Sequence, residues 1–173
     1  DEWMHMWKDF NYSYLVLVPQ DMRRTVDDIL GTDLDERAAW RHAEERARAA
    51  VGDDANDMRA HYNIVTALYY QGDYAATVRE FEAIEARLTA HKLWYQMEPI
   101  WAYFELGNHD RAIRLADGVI NANNASVSEL YAMKGKIYAL RGDTAAARAE
   151  FETALRYNTH LQSAKDALAE LGR

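Results

Sequence analysis

The stretch from Tyr131 to Leu155 reads YAMKGKIYALRGDTAAARAEFETAL and decides the fold. At its centre, Gly142-Asp143 separates two segments that are rich in alanine and contain several aromatic residues. Glycine tolerates the positive φ that ends a helix, and an aspartate directly after it can cap the next helix. A turn this short forces the two helices to run antiparallel. We therefore predict a helical hairpin over this stretch.

The same turn occurs three times at one fixed interval. Gly72-Asp73, Gly107-Asn108 and Gly142-Asp143 follow one another in steps of 35 residues. The flanking positions align in the same register: Val65, Ile100 and Gly135; Leu68, Tyr103 and Tyr138; Thr77, Ala112 and Ala147; Phe81, Ala116 and Phe151; Ile84, Val119 and Ala154. A fixed period of this length is typical of helical repeat proteins. One hairpin cannot bury its apolar face alone, so we expect stacked repeats with a continuous core.

This order of small, aromatic and glycine positions resembles the tetratricopeptide repeat over about Asp57 to the C-terminus. The resemblance implies an all-α fold, a superhelix of helical hairpins. The sequence departs from the family pattern at two positions of each repeat. His61, Gln96 and Tyr131 stand in place of a tryptophan, and Thr89, Asn124 and Thr159 stand in place of a proline. The period also exceeds the usual length of about 34 residues, so each inter-repeat loop has to absorb one more residue.

The repeat pattern predicts the domain organisation. We expect a connector over residues 1–31 and a repeat domain over 32–173. Within the repeat domain we predict a degenerate half-repeat at 35–51, repeats at about 58–92, 93–127 and 128–159, and a capping helix at 160–172. In the half-repeat, Trp40, Ala43 and Ala47 lie on one helical stripe, which predicts a buried face.

The first 31 residues do not follow the repeat. Trp3, Met6, Trp7 and Phe10 stand at helical spacing, whereas Tyr12 to Val18 predicts one β-strand-like segment. A lone strand needs partners for its backbone polar groups, which upstream residues, another chain or water could provide. The chain begins at Asp1 without a methionine, and we interpret it as a fragment of a longer protein.

A second resemblance concerns this N-terminal stretch. Trp3 to Pro19, the Gly31-Thr32-Asp33 turn and Leu93-Trp94-Tyr95-Gln96 resemble proteins in which a papain-like cysteine peptidase domain of the bacteriocin-processing type precedes tetratricopeptide repeats. The resemblance implies that the stretch is the closing edge of the peptidase domain, with the catalytic residues upstream. None of those positions exists in this sequence, so no catalytic residue is carried over. The resemblance favours an exported bacterial parent, with an extracytoplasmic location and a peptidase-like domain as one partner.

Composition opposes several classes of ligand. The formal net charge of −8 disfavours nucleic acid and anionic lipid, which need clustered basic side chains. No apolar run approaches the roughly 20 residues of a membrane-spanning helix, so we expect no membrane insertion. The chain has no cysteine, which excludes disulfides and thiolate chemistry but leaves the compartment open.

The sequence contains no recognisable catalytic, metal or cofactor motif. The six histidines form no pair at metal-ligand spacing, and Asp53, Asp54 and Asp57 lack the glycine of a calcium loop. No phosphate-binding glycine loop or activated nucleophile is present. We therefore predict no catalytic residue, no metal and no cofactor, and no enzymatic activity for this chain.

The first helix of each repeat lines the concave face of a tetratricopeptide array. In this sequence the corresponding positions predict a partner-binding face formed by Tyr62, Thr66, Tyr69, Tyr70, Trp94, Met97, Trp101 and Phe104. The same predicted groove is also lined by Arg59, Glu105, Glu129, Ala132 and Lys136. Aromatic side chains there suit a peptide or a partner protein. Alternatively, several of these rings belong to the core or are covered by the N-terminal segment. Because Tyr62 and Thr66 replace the Lys and Asn of a carboxylate clamp, chaperone tails are not the expected partner.

Three functional hypotheses follow. The first is a protein-interaction module. The second is the non-catalytic C-terminal part of a cysteine peptidase, and the third is a structural subunit of a larger complex.

Within the second repeat, Pro99 has no backbone N–H to donate, which predicts either a kink or a late helix start.

Overall fold

The computed structural model describes residues 36–88, 96–122 and 126–172, and these residues form helices without any strand. The α-helices are α1 (Glu36–Asp53), α2 (Met58–Tyr70), α3 (Tyr74–Ile84), α4 (Glu98–Glu105), α5 (His109–Asn121), α6 (Ser128–Leu140), α7 (Thr144–Tyr157) and α8 (Gln162–Leu171). A 3₁₀ turn, Glu85–Arg87, follows α3. The all-α prediction is confirmed for this part of the chain. The predicted strand over Tyr12 to Val18 lies outside it.

The three glycine turns have the predicted geometry. Gly72, Gly107 and Gly142 adopt φ values of 80°, 73° and 77°, in the left-handed region where a side chain would be strained. In the first and third turns, the residue after the glycine donates its backbone N–H to a carbonyl five residues earlier. These bonds are Asp73 N to Leu68 O, 3.0 Å, and Asp143 N to Tyr138 O, 2.9 Å. The turn therefore satisfies carbonyls that the end of a helix leaves open.

The residue after each glycine caps the next helix, as the sequence predicts. The Asp73 carboxylate accepts from Ala76 N at 2.9 Å, and the Asp143 carboxylate accepts from Ala146 N at 3.0 Å. Asn108 Oδ1 accepts from Arg111 N at 3.4 Å. Side-chain caps of this kind contribute about 1 kcal/mol each, so the Gly-Asx dipeptide both ends one helix and starts the next.

The described residues divide into two compact units. Unit 1 contains residues 36–88 and 96–106, with α1 to α4. Unit 2 contains residues 107–122 and 126–172, with α5 to α8. The predicted repeat boundaries, the domain boundary near residue 32 and the superhelical stacking of the repeats stay predictions.

In unit 1, side chains at the aligned repeat positions are buried. Val65 and Phe81 are both 0% exposed, and Ile84 is also buried. From α1, Trp40 is 1% exposed and packs with Ala43 and Ala67, which confirms the predicted inward face of this helix. These contacts join α1 to the α2–α3 hairpin.

Helix α4 is short and is held in unit 1 at both of its ends. It begins at Glu98 with Pro99 in its first turn, so the late helix start predicted from Pro99 is confirmed. Before α4, the Gln96 carbonyl accepts a hydrogen bond of 2.6 Å from the Tyr62 hydroxyl. Near its end, the Tyr103 hydroxyl donates to Glu82 at 2.7 Å. These two bonds position α4 against α2 and α3.

In unit 2, Gly135 allows α6 and α7 to approach closely. A Cβ atom placed on Gly135 would lie 2.7 Å from the Phe151 ring, which is too close for any real carbon contact. The absence of a side chain at 135 therefore lets the ring lie against the backbone of α6. Phe151 is 1% exposed and packs with Ala132, Ala147 and the last helix through Ala164.

A lysine joins three helices of unit 2. Lys134 Nζ on α6 lies 2.8 Å from Asp117 on α5 and 2.9 Å from Glu150 on α7. The lysine side chain is mostly buried, so solvent screens these ion pairs less than it screens fully exposed ones. Burial lowers the pKa of Lys134, but its hydrogen bonds to Asp117 and Glu150 outweigh burial and raise the pKa above its usual value.

Candidate functional site

The partly exposed surface of unit 1 includes two aromatic pairs, one on α2 and one on α4. Tyr69 and Tyr70 end α2, and Trp101 and Phe104 lie in the middle and last turn of α4. Each of the four side chains is neither fully buried nor fully exposed. We call these two pairs the aromatic face.

Ring contacts give the aromatic face a fixed arrangement. Tyr69 meets Tyr70 edge to face with a centroid distance of 5.2 Å, and it meets Tyr74 at 5.5 Å. Trp101 meets Phe104 edge to face at 6.2 Å. Aromatic pairs in these geometries stabilise one another by about 0.5–1.5 kcal/mol beyond their buried area. These contacts fix the relative orientation of the rings within each pair.

Tyr69 lies beside one side of α4. Burial raises the pKa of the Tyr69 hydroxyl, and neighbouring Tyr74 and Tyr70 raise it further. Glu105 and Glu98 add to the same rise, so both carboxylates act on this hydroxyl. Because residues three and four apart share one helix side, Trp101 lies between Glu98 and Glu105 on one side of α4.

Two of the predicted binding residues are buried in unit 1. Tyr62 is 0% exposed, and burial raises the pKa of its hydroxyl well above the usual range, with Glu98 adding to the rise. Thr66 is 3% exposed, and its hydroxyl has no hydrogen-bond partner within the described ranges. Both side chains therefore belong to the core of unit 1. Tyr62 supports the face by bonding to the Gln96 carbonyl.

The remaining predicted residues lie around the start of α4. Met97 is partly buried and occupies the N-cap position of α4, where it makes no side-chain capping bond. Trp94 lies outside the described residues. A role in partner binding stays a prediction for all eight residues.

Tyr70 belongs partly to the core. Its ring stacks on Trp40 of α1 with a centroid distance of 4.4 Å and an interplanar angle of 15°. The sequence predicts Trp40 as an inward residue and Tyr70 as a surface residue, but it does not predict that they touch. Tyr74 and the buried carboxylate of Glu98 were also not predicted as parts of this region. Their positions relative to Tyr69 depend on packing between helices, for which the repeat pattern carries no signal.

The aromatic face offers apolar and aromatic contact area. No cluster of His, Asp and Glu that could hold a metal ion occurs among the residues that the structure describes. Within the same residues, every helix is too short or too polar to span a membrane. What the geometry provides is a set of preorganised rings, which suits recognition of another polypeptide.

Comparison with protein families gives a match in unit 2. Residues 128–160 match the family model described as the tetratricopeptide repeat, and this range contains α6 and α7. No curated protein matches the chain. Tetratricopeptide repeats generally mediate protein–protein interactions and are typically non-catalytic. The match covers the α6–α7 hairpin of unit 2, so this part of the chain is similar to a tetratricopeptide repeat.

Proposed function

We propose that this chain is a protein-interaction module that binds a peptide or partner protein through the aromatic face of unit 1. The observation that carries the proposal is the set of four partly exposed rings on α2 and α4, held in edge-to-face pairs. Tyrosine and tryptophan are the residues most enriched at the energetic centres of protein interfaces.

The support beneath the face favours the same conclusion. The Tyr62–Gln96 and Tyr103–Glu82 hydrogen bonds fix α4 to α2 and α3, so Trp101 and Phe104 stand on a positioned helix. A rigid surface loses less conformational entropy on binding than a mobile one. On this proposal the chain contributes binding and no catalysis.

The test compares capture of partners by the wild-type chain and by the variant Trp101→Ala/Phe104→Ala. The purified chain serves as bait in lysate of the source cells, and retained proteins are identified and quantified by mass spectrometry. We expect the variant to lose specific partners by about tenfold or more, the size of effect that interface aromatics produce. Circular dichroism should show retained helix in the variant, because both rings are partly exposed.

A matched control is Leu140→Ala. Leu140 is a large apolar residue of unit 2 that is 69% exposed, and it lies outside the aromatic face. Its truncation should leave capture unchanged. Equal losses in both variants, or undiminished capture by the aromatic variant, would contradict the proposal. Loss of helix in the aromatic variant would contradict it as well, because it would assign both rings to the core.

A further inference from the structure

We infer that the segment bound by the aromatic face carries a Lys or Arg side chain, which lies against the ring of Trp101 and pairs with the carboxylate of Glu105. This inference rests on the proposed function and names the chemistry of the partner. It comes from the charge of the groups that border the rings.

Glu105 is the first of these groups. It is exposed and is the last residue of α4, one turn after Trp101 and on the same side of the helix. The structure pairs it with no basic side chain among the described residues. A carboxylate at the C-terminal end of a helix faces the negative end of the helix dipole, which is unfavourable by about 0.3–1 kcal/mol. A cation bound at Glu105 would relieve that repulsion.

The rings beside Glu105 also attract cations. Trp101 and Tyr69 keep part of their surface exposed, and aromatic faces bind ammonium and guanidinium groups, with tryptophan the strongest. The rise in the Tyr69 pKa that Glu105 and Glu98 produce is consistent with a negative potential at this position. The ring of Trp101 and the carboxylate of Glu105 therefore both attract a cation.

Two basic side chains of unit 1 have acidic or polar partners within the unit. The Arg48 guanidinium binds Glu44 at 2.8 Å and Glu80 at 3.1 Å, and Arg87 donates to Asn56. The chain as a whole carries a formal charge of −8, which repels acidic segments. Charge complementarity thus favours a basic occupant over an acidic or neutral one.

The test uses three pools of synthetic peptides that share their apolar and aromatic residues and differ only in carrying Lys, Gln or Glu at the variable positions. Binding to the full chain is measured by fluorescence anisotropy. We expect the Lys pool to bind most tightly and to weaken as salt rises. The variant Glu105→Gln should weaken binding of the Lys pool by about 1.5- to 5-fold, the range of an exposed ion pair, and leave the Gln pool unchanged.

A control separates the local carboxylate from the net charge of the chain. Glu152→Gln removes one negative charge from an exposed position on α7 of unit 2 and should leave binding of the Lys pool unchanged. Equal losses in the two glutamate variants would overturn the inference, because they would assign the preference to net charge. A Gln or Glu pool that binds as tightly as the Lys pool would also overturn it.

The outcomes distinguish this inference from the proposed function. If the Gln pool binds as well as the Lys pool and Trp101→Ala abolishes both, the face binds a neutral segment, so the function stands and the charge preference fails. If no pool binds, both fail. Sedimentation of the free chain tests a further occupant. A dimer that Trp101→Ala dissociates would assign the face to a second copy and overturn the inference.

Discussion

The α2–α3 hairpin of unit 1 and the α6–α7 hairpin of unit 2 share one backbone design and differ in what their side chains do. Both first helices have 13 residues, and the turn glycines have φ values of 80° and 77°. At the positions of Tyr69 and Tyr70, two periods later, stand Ala139 and Leu140. The turn and the small buried residues therefore set the hairpin, whereas the partly or fully exposed residues at the end of the first helix differ between the two units.

The interiors of the two hairpins also differ. In unit 2 the Phe151 ring lies against Gly135, while the equivalent residues of unit 1 are Phe81 and Val65. Unit 1 instead connects its helices through tyrosine hydroxyls that bond across to the region of α4 and to α3. Unit 2 therefore stabilises its hairpin by packing Phe151 against Gly135, whereas unit 1 uses hydrogen bonds of tyrosine hydroxyls. Mutations can measure the contribution of each kind of contact to stability.

The largest effect is expected from removing the buried ring. Phe151→Ala should lower the free energy of unfolding by about 3–5 kcal/mol, because truncation of a buried aromatic residue leaves a cavity. Phe81→Ala is the matched change in unit 1 and should fall in the same range. We expect Phe151→Ala to be the more damaging, since Gly135 has no side chain to fill the space. Urea denaturation followed by circular dichroism measures both, and a clearly larger loss for Phe81→Ala would break the comparison.

The next effect concerns the glycine itself. Gly135→Ala should destabilise the chain by about 1–3 kcal/mol, because the new methyl group overlaps the Phe151 ring. Gly118→Ala is the control, a helical glycine of α5 with open space around its Cβ position. That change should stabilise by up to about 1 kcal/mol through helix propensity. Thermal unfolding of the two variants should therefore shift in opposite directions, and a shift to higher temperature in both would show that the ring moves aside freely.

A smaller effect is expected from the polar bridge of unit 1. Tyr62→Phe removes the hydroxyl that donates to the Gln96 carbonyl but keeps the ring. We expect a loss of about 0.5–1.5 kcal/mol, the usual contribution of one hydrogen bond. Tyr138→Phe is a control in unit 2 at a partly buried position. Equal stability of Tyr62→Phe and wild type in urea denaturation would mean that α4 does not depend on this bond.

The smallest effect is expected at Lys134. Lys134→Met should lower stability near neutral pH by about 0.2–1 kcal/mol, and Lys136→Met, an exposed change on the same helix, should have no effect. The pKa of Lys134 is raised in the folded state, so its contribution is complete below the unfolded pKa of about 10.4 and is lost as pH rises through the folded pKa. Urea denaturation across this range should show the wild type and Lys134→Met converging at high pH. A stability difference between the wild type and Lys134→Met that grows as pH rises would contradict this prediction.

The sequence was sufficient to predict the backbone plan because that plan depends on local residues. The positive φ of Gly72, Gly107 and Gly142 and the helix caps that follow them need only the Gly-Asx dipeptide. The buried state of Phe81 and Phe151 follows from their equivalent positions in the repeat. Each of these features depends on residues within one hairpin, and the sequence period is sufficient to predict it.

The candidate site was less predictable because it depends on contacts between helices. The repeat pattern assigns Tyr62 and Thr66 to a binding surface by their helix side, but both are buried. Their burial depends on how α4 and its preceding residues lie against α2, as the Tyr62–Gln96 bond illustrates. The stacking of Tyr70 on Trp40 depends in the same way on the position of α1.

The length of α4 has a consequence for how the aromatic face works. With 8 residues, every amide or carbonyl of this helix lies within four positions of an end, and isolated helices of this length are not stable in water. Trp101 and Phe104 thus stand on a segment whose helical state is maintained by its surroundings. Occupancy of the face and local folding of α4 are then linked equilibria, and any ligand that requires the helical form protects the α4 amides from hydrogen exchange.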